Sequence, residues 1–192
     1  MKSFTTRRAR RARSHHEEVA LPDGFPLTPR EMPDPRPGDI LLFTHAKGLN
    51  RLIPWFTGSR YFHCGVYEGD GHVLEARPNG VVRRDLKESS DGEKVFRAVP
   101  MPQEGAEKAI HFARKRLGAT YDPLDIAFII VRHLFPLLHI RYSNHASFTC
   151  GELVARAWRA GGCDLFPDQQ ASEIIPADLS RFLPRDAQDQ TL

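Results

Sequence analysis

Residues 61–86 constrain this chain more than any other stretch, because turn signals cut them into short strands. Residues 61–67 run apolar up to Glu68-Gly69-Asp70-Gly71, and His72-Val73-Leu74-Glu75-Ala76 returns from that turn. Pro78-Asn79-Gly80 then redirects the chain into residues 81–86, and residues 94–99 supply one more strand. Tight turns of this kind join antiparallel neighbours. The middle of the chain is therefore expected to be an antiparallel meander.

Elements on either side complete the outline. The turn Arg36-Pro37-Gly38-Asp39 opens into Ile40-Leu41-Leu42-Phe43, a short apolar run read as a buried strand. Leu49, Leu52, Ile53 and Phe56 fall at helical spacing over residues 47–56, with Pro54 limiting the length. From Gln103 the period changes. Ala106, Ala109, Ile110, Ala113 and Leu117 mark one face of a helix that stops at Gly118. Residues 124–140 are apolar but broken by Arg132, His133, Pro136 and His139, which favours a core segment over a membrane span. Thr149 and Glu152 form a T-x-x-E capping box, putting Thr149 at the N-cap and Cys150 at the first helical position. Leu153, Val154, Ala157 and Trp158 give that helix a buried face, Gly161-Gly162 end it, and residues 174–179 are expected to pack back on the body.

Charge divides the chain in two. Lys2, Arg7, Arg8, Arg10, Arg11 and Arg13 meet no acidic residue within residues 1–13, and six prolines follow between residues 22 and 37. Residues 1–35 are thus expected to be a basic, proline-rich arm and residues 36–192 the folded domain. The arm is either a solvated charge run or a contact for nucleic acid or an anionic membrane. No secretory apolar segment follows the arginines. Three cysteines, Cys64, Cys150 and Cys163, are too few for a disulfide framework and suit a reducing, cytoplasmic compartment. No phosphate loop, C-x-x-C or H-E-x-x-H spacing occurs, so neither cofactor nor metal is expected.

One constellation carries chemistry. A cysteine at a helix N-terminus meets orphan N–H groups and the positive end of the helix dipole, which favour its thiolate. Such a nucleophile needs a base that also returns a proton to the leaving group. Among nine histidines, His63 stands out because a hairpin centred on Gly69 pairs residues whose numbers add to about 138. That register sets His63 opposite Glu75 on one face, where the carboxylate would orient the imidazole. Period two sends Cys64 to the other face, so Cys64 and Cys163 are read as plain core thiols. Taken singly, Cys150, His63 and Glu75 each have an equally plain structural reading; the conjunction points to Cys150 as nucleophile, His63 as base and Glu75 as orienter.

The runs Pro37-Gly38-Asp39-Ile40-Leu41-Leu42-Phe43, His63-Cys64-Gly65-Val66-Tyr67-Glu68-Gly69-Asp70-Gly71 and Val73-Leu74-Glu75-Ala76 resemble the permuted papain-like proteins of the NlpC superfamily, nearest the YiiX-like amidase group. Tyr121-Asp122, Cys150-Gly151-Glu152-Leu153-Val154 and Ile175-Pro176-Ala177-Asp178-Leu179 follow the same pattern. The resemblance implies a circularly permuted papain-like α+β fold and a thiol hydrolase of amide bonds, peptides or peptidoglycan-type peptides, working through Cys150, His63 and Glu75, with Tyr121 lining the cleft. Gly151 departs from it, since the family more often carries serine there. Lecithin:retinol acyltransferase-like proteins resemble the same fold, which keeps a phospholipid-dependent acyl transfer open, although they usually carry histidine where this chain has Glu75. A non-catalytic peptide- or lipid-binding module is the third alternative.

Overall fold

The computed structural model describes residues 35–44, 59–87, 94–97, 101–120 and 147–182. The arginines of the basic arm, the helix expected at residues 47–56, the apolar stretch 124–140 and Tyr121 lie outside the described residues.

Five strands make one antiparallel sheet: β1 (Ile40–Phe43), β2 (His63–Gly69), β3 (His72–Arg77), β4 (Gly80–Asp85) and β5 (Lys94–Arg97), in the order β4-β3-β2-β1-β5. Two principal helices follow, α1 (Gln103–Arg114) and α2 (Cys150–Ala160), then the single turn α3 (Pro176–Leu179). Strands before helices make this an α+β chain.

The first hairpin turns on Asp70 and Gly71, both at positive φ (49° and 76°), the type I′ geometry for which Asp-Gly is suited. A bulge between Tyr67 and Gly69 then shifts the ladder. Val66 faces Leu74 and Tyr67 faces Val73, so partner numbers add to 140 rather than the expected 138. The meander runs over different strands than expected. β1, β2, β3 and β4 are successive antiparallel neighbours, whereas β5 crosses the sheet to pair with β1 instead of continuing from β4. The reason lies in β1, whose four apolar residues are all fully buried. A strand of that kind belongs in a sheet interior, and β5 supplies its second neighbour.

Alternation along β1 builds two cores. Ile40 and Leu42 join Cys64, Val66, Leu74, Ala76 and Val81 on the face covered by the helices, where Leu153, Val154, Ala157 and Trp158 of α2 meet them. Leu41 and Phe43 join Phe62, Tyr67, Val73 and Leu86 on the opposite face. α1 lays Ala106, Ala109, Ile110 and Ala113 on the first core as its sequence period predicts. Leu117 does not join them and is 45% exposed. The helix ends at Arg114, and the following N–H groups bond three residues back, Arg116 to Ala113 and Leu117 to Arg114. That tighter winding rotates Leu117 off the apolar face. Buried Glu68 clamps the layers together by binding Arg83 of β4 and Arg114 of α1. Among the described residues no helix is long and apolar enough to cross a membrane.

Candidate active site

Thr149 is extended (φ −82°, ψ 166°), and its hydroxyl accepts the Glu152 N–H at 3.2 Å, so Cys150 opens α2 as the capping sequence predicts. Phe148 N–H donates to Thr120 O at 3.1 Å, and Ser147 bridges Thr120, which fixes the approach to the helix. Gly151 then meets the backbone of Ile174: a Cβ built there would stand 1.9 Å from the Ile174 carbonyl oxygen. The closing segment therefore lies directly over the first turn of α2, and the lack of a side chain at Gly151 admits it.

His63 and Glu75 meet as the sequence suggests, by a different route. Nε2 of His63 is 2.9 Å from Oε2 of Glu75, and the residues are 8% and 0% exposed. Continuing the observed register sets Glu75 level with Gly65 rather than His63. A Cβ at Gly65 would lie 3.1 Å from the Glu75 Cβ and 2.6 Å from Val73 Cγ2. The missing side chain leaves the space across which His63 reaches the carboxylate diagonally.

Glu75 has further partners. Arg77 Nε donates to Oε1 at 2.7 Å, Arg84 Nε donates to Oε1 at 2.5 Å, and Arg84 Nη2 donates to Oε2 at 3.1 Å. Burial alone would raise the carboxyl pKa, but the hydrogen bonds from His63 and Arg84 outweigh it and bring it down to about 2. The Phe43 ring lies 5.5 Å from the His63 ring, and the Arg84 guanidinium sits 5.5 Å over the same Phe43 ring. This packing holds the imidazole between an apolar wall and an ionised carboxylate.

Cys150 completes the group. Its thiol interacts with His63 and Cys64, the two residues that open β2. Neighbouring residues of a strand point to opposite faces, so a group touching both His63 and Cys64 stands against the start of β2, not over either face. His63 uses Nε2 for Glu75, which leaves Nδ1 for the cysteine. The hydrogen bond from Cys64 is the strongest influence on Cys150; with His63 it overcomes burial and lowers the Cys150 pKa well below the usual thiol value. Burial works against the His63 cation, yet the hydrogen bonds with Cys150 and Glu75 raise its pKa to about 9. Both shifts favour a thiolate beside an imidazolium over a neutral thiol beside a neutral imidazole. Cys64 titrates the other way, pushed well up by burial and by its neighbour Cys150, and stays a thiol.

Sequence reasoning named Cys150, His63 and Glu75, and these three come together. It read Cys64 as a core thiol pointing away from His63, and Cys64 is fully buried in the helix-facing core, on the face opposite His63. It missed Arg77 and Arg84. Period two already placed Arg77 on Glu75's face, and the ladder pairs Arg84 with Val73 of that same face. Among the described histidines, His111 is exposed and His72 is half-buried. Among the described residues no three metal-ligating side chains gather in one place. No protein-family model matches the chain, and no curated protein matches it.

Proposed function

We propose that this chain is a cysteine hydrolase of amide bonds with a circularly permuted papain-like fold, and that Cys150, His63 and Glu75 are its catalytic group. The observation that carries the reading is a histidine whose Nε2 is 2.9 Å from a fully buried carboxylate, with a cysteine on the first turn of a helix whose pKa that histidine helps to lower. The Cys–His–Glu order along the contacts, the strand-before-helix order along the chain and the depressed thiol pKa all support it.

In this reading the Cys150 thiolate attacks the substrate carbonyl carbon. The backbone N–H of Cys150 donates to the oxyanion that forms, aided by the positive end of α2. His63 passes its Nδ1 proton to the leaving amine as the C–N bond breaks, leaving a thioester on Cys150. The now neutral imidazole takes a proton from water, the resulting hydroxide attacks the thioester, and the acid product departs as the thiolate re-forms. Glu75 keeps Nε2 protonated and the ring aimed throughout. Arg84 and Arg77 keep Glu75 ionised, so it does not compete with Nδ1 for the proton. Substrates are peptide or peptidoglycan-type amides.

Alkylation of Cys150, mapped by mass spectrometry across pH in wild type and His63→Ala, tests the thiolate pair. The expected result is labelling at mildly acidic pH that His63→Ala weakens, accompanied by hydrolysis of a small peptide amide. Labelling that rises only near pH 8.5, as for a free thiol, and ignores His63 overturns the proposal.

A further inference from the structure

The far end of α1 and the neighbouring strand β4 meet in a basic surface that the proposed catalysis does not use. We propose that this surface docks on an anionic phospholipid bilayer, with Arg83 and Arg114 holding headgroup phosphates and Leu117 entering the acyl boundary. The inference is independent of the roles proposed for Cys150, His63 and Glu75.

Glu68 organises the charge. Its side chain is 4% exposed, and each of its oxygens takes one arginine: Oε1 accepts from Arg114 Nε at 2.5 Å, and Oε2 accepts from Arg83 Nε. One carboxylate and two hydrogen bonds bring the two Nε atoms within about 7 Å of each other. A phosphate group gripped by two such bonds spans about the same distance. Each guanidinium keeps its Nη hydrogens, which bond no described residue, and the two side chains stay 46% and 56% exposed. The buried carboxylate offsets one positive charge of the two and pins both forks at the surface by their inner nitrogen. Planar forks held in this way suit a phosphate oxyanion, which they can meet with paired N–H donors.

The turn after α1 brings further groups to the same place. Val81 N–H donates to Ala119 O and Gly118 N–H donates to Val81 O, both at 2.9 Å, so the turn is stitched to β4. Arg83 follows Val81 on the same face of that strand, about 7 Å along it. Lys115, Arg116 and Leu117 directly precede the stitched residues, and no acidic residue occurs from Lys108 to Thr120. Arg116 lies 3.9 Å over the Phe112 ring. Arg83, Arg114, Lys115 and Arg116 against Glu68 leave three positive charges in excess. Asp85, next on that face of β4, is matched in charge by exposed Lys87, whose N–H its Oδ1 accepts at 2.8 Å.

Cations at the C-terminal end of a helix complement its dipole, which by itself accounts for Lys115 and Arg116. It does not account for Arg83, which belongs to the sheet, or for Leu117, the one large apolar side chain exposed among the described residues. A leucine among cations matches a bilayer interface, where headgroup phosphates meet the charge and the acyl boundary takes the aliphatic group. Single-stranded nucleic acid would supply the same phosphates, but its bases stack on aromatic rings. No phenylalanine, tyrosine or tryptophan side chain is exposed among the described residues.

Co-sedimentation of the full chain with phosphatidylcholine vesicles, with and without phosphatidylserine, tests the surface. The expected result is binding that requires phosphatidylserine and weakens in high salt. Arg83→Gln combined with Arg114→Gln should weaken it about 25-fold, at about five-fold per charge. Glu68 loses both partners in that variant, so a thermal melt accompanies it. Lys115→Gln combined with Leu117→Gln leaves the Glu68 contacts intact and should weaken binding about ten-fold or more, through one charge and one apolar side chain. If the arginine variant melts early, the second variant decides. Vesicle binding that the deciding variant leaves unchanged belongs to other cations, the arginines of residues 1–13 above all, and overturns the inference. Absence of vesicle binding overturns it too, as does binding of a single-stranded oligonucleotide by these residues with none to vesicles.

Discussion

Gly151→Ala sets two opposing effects against each other. In an open helix the change stabilises by about 1 kcal/mol, because alanine loses less backbone entropy. Here the new Cβ would stand 1.9 Å from the Ile174 oxygen and 2.7 Å from the Ile174 carbonyl carbon. An ordinary carbon–oxygen contact is about 3.3 Å. Both clashing atoms are backbone, so no rotamer change relieves them. Either the first turn of α2 or the Ile174 segment must retreat by more than an ångström. Overpacking of this kind costs about 1–3 kcal/mol and occasionally more, and rigid backbone on the receiving side puts this case at the upper end. The net expectation is a loss of about 2 kcal/mol, or about 5 °C in melting temperature for a chain of this size. Cys150 directly precedes the displaced residue, so its alkylation at mildly acidic pH should fall as well. Urea unfolding and a thermal melt measure the first effect, and a labelling time course measures the second. A variant as stable as wild type, or more stable as propensity alone predicts, would refute the placement of the closing segment over α2.

Further expectations concern the charged group. Glu75→Gln leaves His63, Arg77 and Arg84 around a neutral amide; removing one partner of a buried ion pair costs about 3–5 kcal/mol, measured by denaturant unfolding. The same change should lower the His63 pKa from about 9 and move the acid limb of Cys150 labelling to higher pH. Because the Glu75 pKa falls from 4.5 to about 2 on folding, its contribution is present above pH 4.5 and is lost as pH drops through about 2. That drop is worth about 3 kcal/mol, so acid unfolding should steepen across this window in wild type but not in Glu75→Gln. Arg84→Met should raise the Glu75 pKa and shift acid unfolding to higher pH, with Arg84→Lys restoring part of the effect. Finally, turnover of an amide substrate should decline as pH rises through about 9, where His63 loses its proton, while alkylation of the persisting thiolate does not.

Local chemistry made much of this legible in the sequence. The tight turn within residues 68–71, the Thr149 cap and the apolar spacing in both long helices depend on neighbours a few residues away; all formed, with the turn centred one residue later than expected and Leu117 off the α1 face. The His63–Glu75 contact was legible for a subtler reason. A register error of two residues preserves the face, so the pairing arithmetic was wrong while the partners were right. What escaped depends on distant parts of the chain. The crossing of β5 to β1 answers the two-sided burial of β1, which no local pattern announces. The approach of Cys150 to His63 requires α2 to dock on the sheet, which no local pattern in the strand announces. The need for glycine at position 151 exists only because Ile174 returns over the helix.

The division of the proposed catalytic group between strands and helix has a consequence for how the protein assembles. His63 and Glu75 are twelve residues apart and meet across a hairpin, a contact of low loop-closure cost that forms early. Cys150 comes far later in the chain and reaches them only when α2 docks on the sheet. During synthesis from the N-terminus, the base and its carboxylate are therefore waiting before the thiol has emerged. A chain cut short within residues 101–120 carries a prepared acceptor for a proton and nothing for it to activate. Reactivity arrives last, with the packing step that also buries it.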